Sequence, residues 1–360
     1  MRRAGVWLLG WLGATVLLAA CAAPAAPASP TSGGAPSHAS PSPAPTTTSE
    51  ARPSEKVRLA YSALTAVAAV PVLAQERGRF AAHHLDAEVQ YIASGTTAMQ
   101  ALLAGEIQLL VGGTEAVLSA AAAGADLRIV AGLVDVVPFS LMVRPEIATA
   151  EDLRGQRLGI TRLGSATDYA LRQAVRRFGL DPDRDVALAQ MGGVPEILAG
   201  MESGAVAGGT LSLPPLAQAR RAGYRELLDL AAADLPYQTT SVAVTAQFAR
   251  ERPETVQAAL RAMAEAIHLL KTDRATAIAT FAALNRDDDP QVLEETYERY
   301  ALHYIVAVPA PNRAGIAAVQ EQLAARDPRL AALALDTLID ERPIRALEAE
   351  GLFARLYPRS

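Results

Sequence analysis

Leu102-Leu103-Ala104-Gly105-Glu106-Ile107-Gln108-Leu109-Leu110-Val111-Gly112-Gly113-Thr114 is the stretch whose reading decides the fold. A helical end stops at Gly105, an apolar run of strand length follows, and small residues open the next helix. Met201-Glu202-Ser203-Gly204-Ala205-Val206-Ala207-Gly208-Gly209-Thr210 carries the same order of helix, glycine, apolar stretch and Gly-Gly-Thr. Two explanations fit the shared unit: one architecture used twice, or the common grammar of βα connections.

Working outward, Val57, Leu59 and Tyr61 alternate as in a strand, and Pro71 opens a helix that Gly78 ends. A strand is expected over 87–92, with Ser94-Gly95-Thr96 as the loop and cap of a helix over 97–104. A strand at 107–111, a Gly112-Gly113-Thr114 loop, a helix over 115–123 and a strand at 127–133 complete this series. A second series fills 150–235, with strands at 157–161 and 186–190 and helices reaching Phe178 and Ser203. Two apolar strands, 139–143 and 241–245, separate the series, and helical patterns over 253–271, 273–284, 290–304 and 315–325 follow. Strands alternating with helices predict mostly parallel sheets covered on both faces. The expected class is α/β with two lobes and a two-strand hinge. Residues 56–142 and 243–360 would form lobe one with the C-terminal helices, and 143–242 lobe two.

The first residues concern compartment. Met1-Arg2-Arg3 is a positive n-region, and Trp7 to Leu18 is apolar but shorter than the roughly 20 residues a spanning helix needs. Leu18-Ala19-Ala20-Cys21 resembles the lipobox of bacterial lipoprotein signal peptides, and Cys21 is the only cysteine of 360 residues. The resemblance implies a signal peptide over 1–20, a lipid on Cys21, and a chain held on the extracytoplasmic side of a membrane. Residues 21–55 are rich in Pro, Ala, Ser and Thr, a composition that cannot bury enough apolar surface to offset ordering entropy, so a disordered tether is expected. The net charge of −5 offers no basic face for nucleic acid.

Four passages carry a wider resemblance. They are Leu73 to Phe80 with Leu85 to Val89, Ala101 to Gln108, Ala150 to Ile160, and Arg177 to Val186. In this order they are similar to type II solute-binding proteins of ABC importers, in the SsuA-like branch of sulfonate, nitrate, taurine and thiamine-pyrimidine-precursor binders. The family often has Asp where Gln108 and Ala207 stand, and glycine at His84. The resemblance implies a monomer that takes a small organic anion, a sulfonate by preference, and hands it to a permease with a cytoplasmic ATPase. A ligand-sensing module for a membrane kinase is the alternative, and an enzyme on the same fold a more distant one.

In open α/β sheets ligands sit beyond the carboxyl ends of strands, where helix N-termini favour anions. The candidate ligand residues are therefore Ser62, Thr65, Ser94, Gly95, Thr96, Gly113, Thr114 and Phe139 from lobe one. Arg162, Gly164, Ser165, Ala166, Thr167, Gly192, Thr210 and Ser212 are those from lobe two. Each has a plainer reading: Ser and Thr before a helix cap it, Arg162 is a solvated surface arginine, and Phe139 packs in the hinge. Arg162 is the sharpest candidate, since a guanidinium pairs bidentately with an oxyanion. No catalytic residue, cofactor or metal is expected. The sequence lacks G-x-S-x-G, H-E-x-x-H and paired cysteines, and none of its five histidines falls in a cleft loop.

Overall fold

The computed structural model describes residues 54–233, 236–286 and 288–358. The expected signal peptide, Cys21 and nearly all of the tether lie outside them.

Lobe one is built on β1 (Glu55–Tyr61), β2 (Leu85–Tyr91), β3 (Leu109–Gly113) and β4 (Leu127–Val134). Its helices are α1 (Ala69–Glu76), α2 (Arg79–Ala82), α3 (Gly95–Leu103) and α4 (Thr114–Ala122). Lobe two holds β5 (Ser140–Val143), β6 (Arg157–Ile160), α5 (Ala166–Arg177), β7 (Ala187–Gln190), α6 (Val194–Glu202), β8 (Gly208–Leu211), α7 (Pro215–Arg221) and β9 (Arg225–Asp229). The chain returns through β10 (Thr240–Thr245), followed by α8 (Ala246–Glu251), α9 (Pro253–Thr272), α10 (Arg274–Asn285), α11 (Pro290–Thr296), a π-helical stretch Tyr297–Tyr304 and α12 (Arg313–Ala324).

The sheets have corresponding orders, β2-β1-β3-β10-β4 and β7-β6-β8-β5-β9. Three parallel strands lead each, and the strand that has just crossed from the other lobe, β10 or β5, lies antiparallel beside the third. Alternation along strands feeds two apolar layers. Leu59, Leu109 and Val244 face one, while Ala60, Leu110 and Ala243 face the other. The twenty-residue α9 packs across α1 and the later helix Arg342–Ala349 and closes the first layer.

Three expectations need correction. The crossings lie at 135–139 and 230–239, because all of β5 pairs with β8 and β9, and all of β10 with β3 or β4. The boundaries at 142/143 and 242/243 therefore cut strands that each belong whole to one sheet. The Gly112-Gly113 pair expected as a loop ends β3 instead, and Gly208-Gly209 begins β8. A Cβ on Gly208 would lie 2.5 Å from the Met142 carbonyl oxygen, and one on Gly209 would lie 2.5 Å from Ile197. These glycines let neighbouring elements approach closely rather than turn the chain. Strand β9 had no signal, since Arg225-Glu226-Leu227-Leu228-Asp229 does not alternate. His84, standing where the family often has glycine, adopts φ +60°.

Candidate functional site

Between the lobes lies a cavity of about 60 Å³. Four helices begin at its wall: α3 at Ser94-Gly95 and α4 at Gly113 from lobe one, α5 at Ser165-Ala166 and α6 at Gly193-Val194 from lobe two. Every helix start leaves backbone N–H groups without an intrahelical acceptor. Here Ser94, Gly113 and Gly193 precede α3, α4 and α6 without any side-chain cap. Only α5 is capped, by the Ser165 hydroxyl accepting from the Asp168 amide at 3.4 Å. Ser94 holds φ +71°, a conformation costly for a non-glycine residue, at the start of α3.

No Lys, Arg, His, Asp or Glu lines the cavity among the described residues. The rest of the wall is hydroxyls, rings and aliphatic side chains such as Val67, Val111, Val134 and Val194. Thr161, Ser165 and Thr167 bond one another at 2.8–2.9 Å, which fixes their rotamers. Tyr61 and Tyr91, the last residues of β1 and β2, lie with ring centroids 5.6 Å apart. Burial raises both phenols, Tyr91 to about 12 with Glu196 adding to it, so both stay protonated donors at neutral pH. Tyr300 enters from the π-helical stretch, and Phe139 and Pro138 from the first crossing.

The lobes touch across this space. A Cβ on Gly113 would stand 3.5 Å from that of Ala166, and one on Gly193 would stand 3.3 Å from the Tyr91 hydroxyl. Ion pairs from the C-terminal helical region reach lobe two as well, Arg299 with Asp229 and Arg326 with Asp183. This is a closed two-lobed form.

Of the sequence candidates, Ser62, Thr65, Ser94, Gly95, Gly113, Phe139, Ser165, Ala166, Thr167 and Ser212 line the cavity. Arg162 does not: it is exposed and outside the wall, as the plainer reading held. Gly164 and Gly192 stand back from the wall in the turns before α5 and α6. Thr114 is fully buried against Ser241, with hydroxyls 2.6 Å apart, and Thr210 donates to the Thr167 carbonyl at 3.0 Å. Thr96 bonds Ser94 at 3.0 Å. Sequence reasoning missed Tyr61, Tyr91, Thr161, Thr239, Thr240 and Tyr300. The position of Tyr61 and Tyr91 at strand carboxyl ends was a usable signal; Tyr300 had none, since it arrives from a distant helix.

Residues 50–285 match the NMT1-like family, and the chain belongs to it. No curated protein matches the sequence. Among solved structures, one from Bordetella bronchiseptica aligns at 19% identity with a TM-score of 0.74, over 82% of this chain and 98% of its own. The alkanesulfonate-binding protein SsuA from Xanthomonas axonopodis pv. citri, bound to MOPS, aligns at 22% identity and TM-score 0.66, over 79% of this chain and 96% of its own. The desulfurization enzyme DSZB aligns at 18% identity and TM-score 0.61, over 82% of this chain and 99% of its own. The fold is the type II periplasmic-binding-protein fold, and it carries both capture and catalysis.

Proposed function

We propose that this protein captures a small organic anion by lobe closure, with an alkanesulfonate as the favoured class, and delivers it to an ABC permease from a lipid anchor at Cys21. The carrying observation is the convergence of four helix N-termini, three without side-chain caps, on a cavity between the lobes that no charged side chain lines among the described residues. Backbone amides and the positive ends of helix dipoles suit a fully ionised head group without an arginine. Tyr61, Tyr91 and Tyr300 supply an apolar wall for a short tail. An anion touching both lobes favours the closed form, since the open form offers half the contacts. Binding rather than catalysis is supported by a wall of hydroxyls, phenols and aliphatic side chains that, among the described residues, includes no imidazole or carboxylate to act as base.

The test is thermal denaturation of the purified protein with ethanesulfonate, nitrate, amino acids and pyrimidines. Binding to the folded state alone raises the melting temperature. Ethanesulfonate at millimolar concentration is expected to raise it by several degrees. A shift with cationic or uncharged compounds only would defeat the reading.

A further inference from the structure

Glu115, the second residue of α4, is fully buried and plays no part in lining the cavity. Its Oε1 accepts from the Tyr237 hydroxyl, which belongs to the second crossing. Its Oε2 has no hydrogen-bond partner and lies 2.7 Å from the point a Cβ on Gly113 would occupy. The Ala166 amide that opens α5 is 3.7 Å from that same point. Tyr237 stacks on Tyr169 of α5 with centroids 4.6 Å apart, and Tyr169 in turn bonds Gln322 of α12. One carboxyl thus sits where lobe one, a hinge crossing, lobe two and a C-terminal helix meet, directly behind two of the helix N-termini that face the cavity.

We propose that Glu115 is a proton site coupled to closure: the lobes close on an anion with Glu115 protonated, and the chain takes up a proton as it binds. This rests on the anion-capture reading above. The physical reason is double. Part of the cover over Glu115 belongs to lobe two, through Ala166 and Tyr169, so opening readmits water to the carboxyl. A carboxylate held against the cavity also repels an anion there, and Coulomb repulsion is weakly screened in a dry interior.

Burial raises the Glu115 carboxyl to about 7, against an ordinary value of 4.5, with Asp168 adding to the rise and the Tyr237 hydrogen bond opposing it. The ionisable and charged groups facing it are Tyr237 from the crossing and Tyr169 and Asp168 from α5. Arg172 lies behind Asp168, and Arg176 acts on Tyr169. Neutral Gln322 reaches Tyr169 from α12, and Ser241 of β10 bonds the adjacent Thr114. The closed form binds the proton more tightly than the open form, so closure is favoured at low pH. The advantage fades as pH rises through the closed-form value and is gone above it.

Calorimetric titration with ethanesulfonate, ionised at every pH used, checks this. With the values above, affinity is expected to fall about twentyfold between pH 5.5 and 7.5 in the unmodified protein. At pH 6.5 binding should take up about three-quarters of a proton, read from buffers of different ionisation enthalpy. Glu115→Gln keeps the Tyr237 bond and should bind with a flat profile and no proton uptake. Tyr237→Phe removes the opposing hydrogen bond, so the window should move to higher pH, which keeps the proposal testable if Glu115→Gln does not fold. A flat profile in the unmodified protein, or an undiminished slope in Glu115→Gln, overturns it. If ethanesulfonate does not bind at all, the anion reading fails separately. Glu115 is then judged on the unliganded protein, whose lobes should close as pH falls from 7.5 to 4.5, read as a smaller radius of gyration in X-ray scattering, whereas Glu115→Gln should show no such change.

Discussion

The two lobes share one strand order and differ in what they place at equivalent helix starts. The first helix after the leading strand is α1 in lobe one and α5 in lobe two. In α1 the buried face is apolar, Val70 and Leu73. In α5 it includes Asp168 and Arg172, paired at 2.6 Å with both side chains 5% exposed. The third helix diverges further. In lobe one α4 begins after Gly113 at the cavity wall, its first N–H, that of Thr114, donating to the Thr239 carbonyl. Its counterpart α7 begins at Pro214-Pro215, where no N–H exists to offer. Topology therefore sets where helix starts can converge, and the residues at those starts decide which of them can bind.

Four measurements sharpen or break that contrast. Arg172→Met should be the most damaging, because it leaves Asp168 charged and buried without its partner; a loss of about 3–5 kcal/mol is expected in urea denaturation. A loss under about 1 kcal/mol would mean that α5 tolerates an apolar face as α1 does. Gly113→Val should act on binding instead. Gly113 has φ −64°, which valine accepts, yet the added carbons meet Glu115 within lobe one and Ala166 across the seam. Ethanesulfonate affinity should drop more than about a hundredfold, because the favoured closed state is blocked. Unaltered affinity would show that closure does not need that contact.

Ser165→Ala removes the only side-chain cap among the four helix starts at the cavity and should cost about 1 kcal/mol. Thr65, at the equivalent position in lobe one, makes no side-chain cap, so Thr65→Ala should cost less than about half of that. Equal losses would erase the distinction. Arg162→Ala should change stability by under about 0.5 kcal/mol and leave affinity within twofold, as for other exposed positions. A tenfold loss of affinity would restore the guanidinium to the site.

The sequence was legible wherever local physics governs. Alternation at Val57, Leu59 and Tyr61 marked β1, and glycines 105, 124 and 179 marked helix ends, each with positive φ. Ser94-Gly95 and Gly113 were found as cavity wall because they lie at or just beyond the ends of strands. It was illegible where a partner decides. Gly208 reads as a turn residue until the Met142 carbonyl beside it is known, and Thr114 reads as a ligand residue until Ser241 is seen to hold it. Arg162 was named for its charge, which carries no information on placement; the structure leaves it exposed and outside the cavity wall.

By itself, the order of apolar runs and glycines determined two βα series, their parallel strands, and the end of each sheet where helices begin. Those features follow from dihedral preferences and periodicity, which act within a few residues. Only the tertiary structure decided where the chain crosses between lobes, that Tyr300 reaches the cavity, and that Glu115 is sealed by Tyr237 and Tyr169. Such contacts join positions far apart in the chain, and their energies depend on burial and distance that no local pattern encodes.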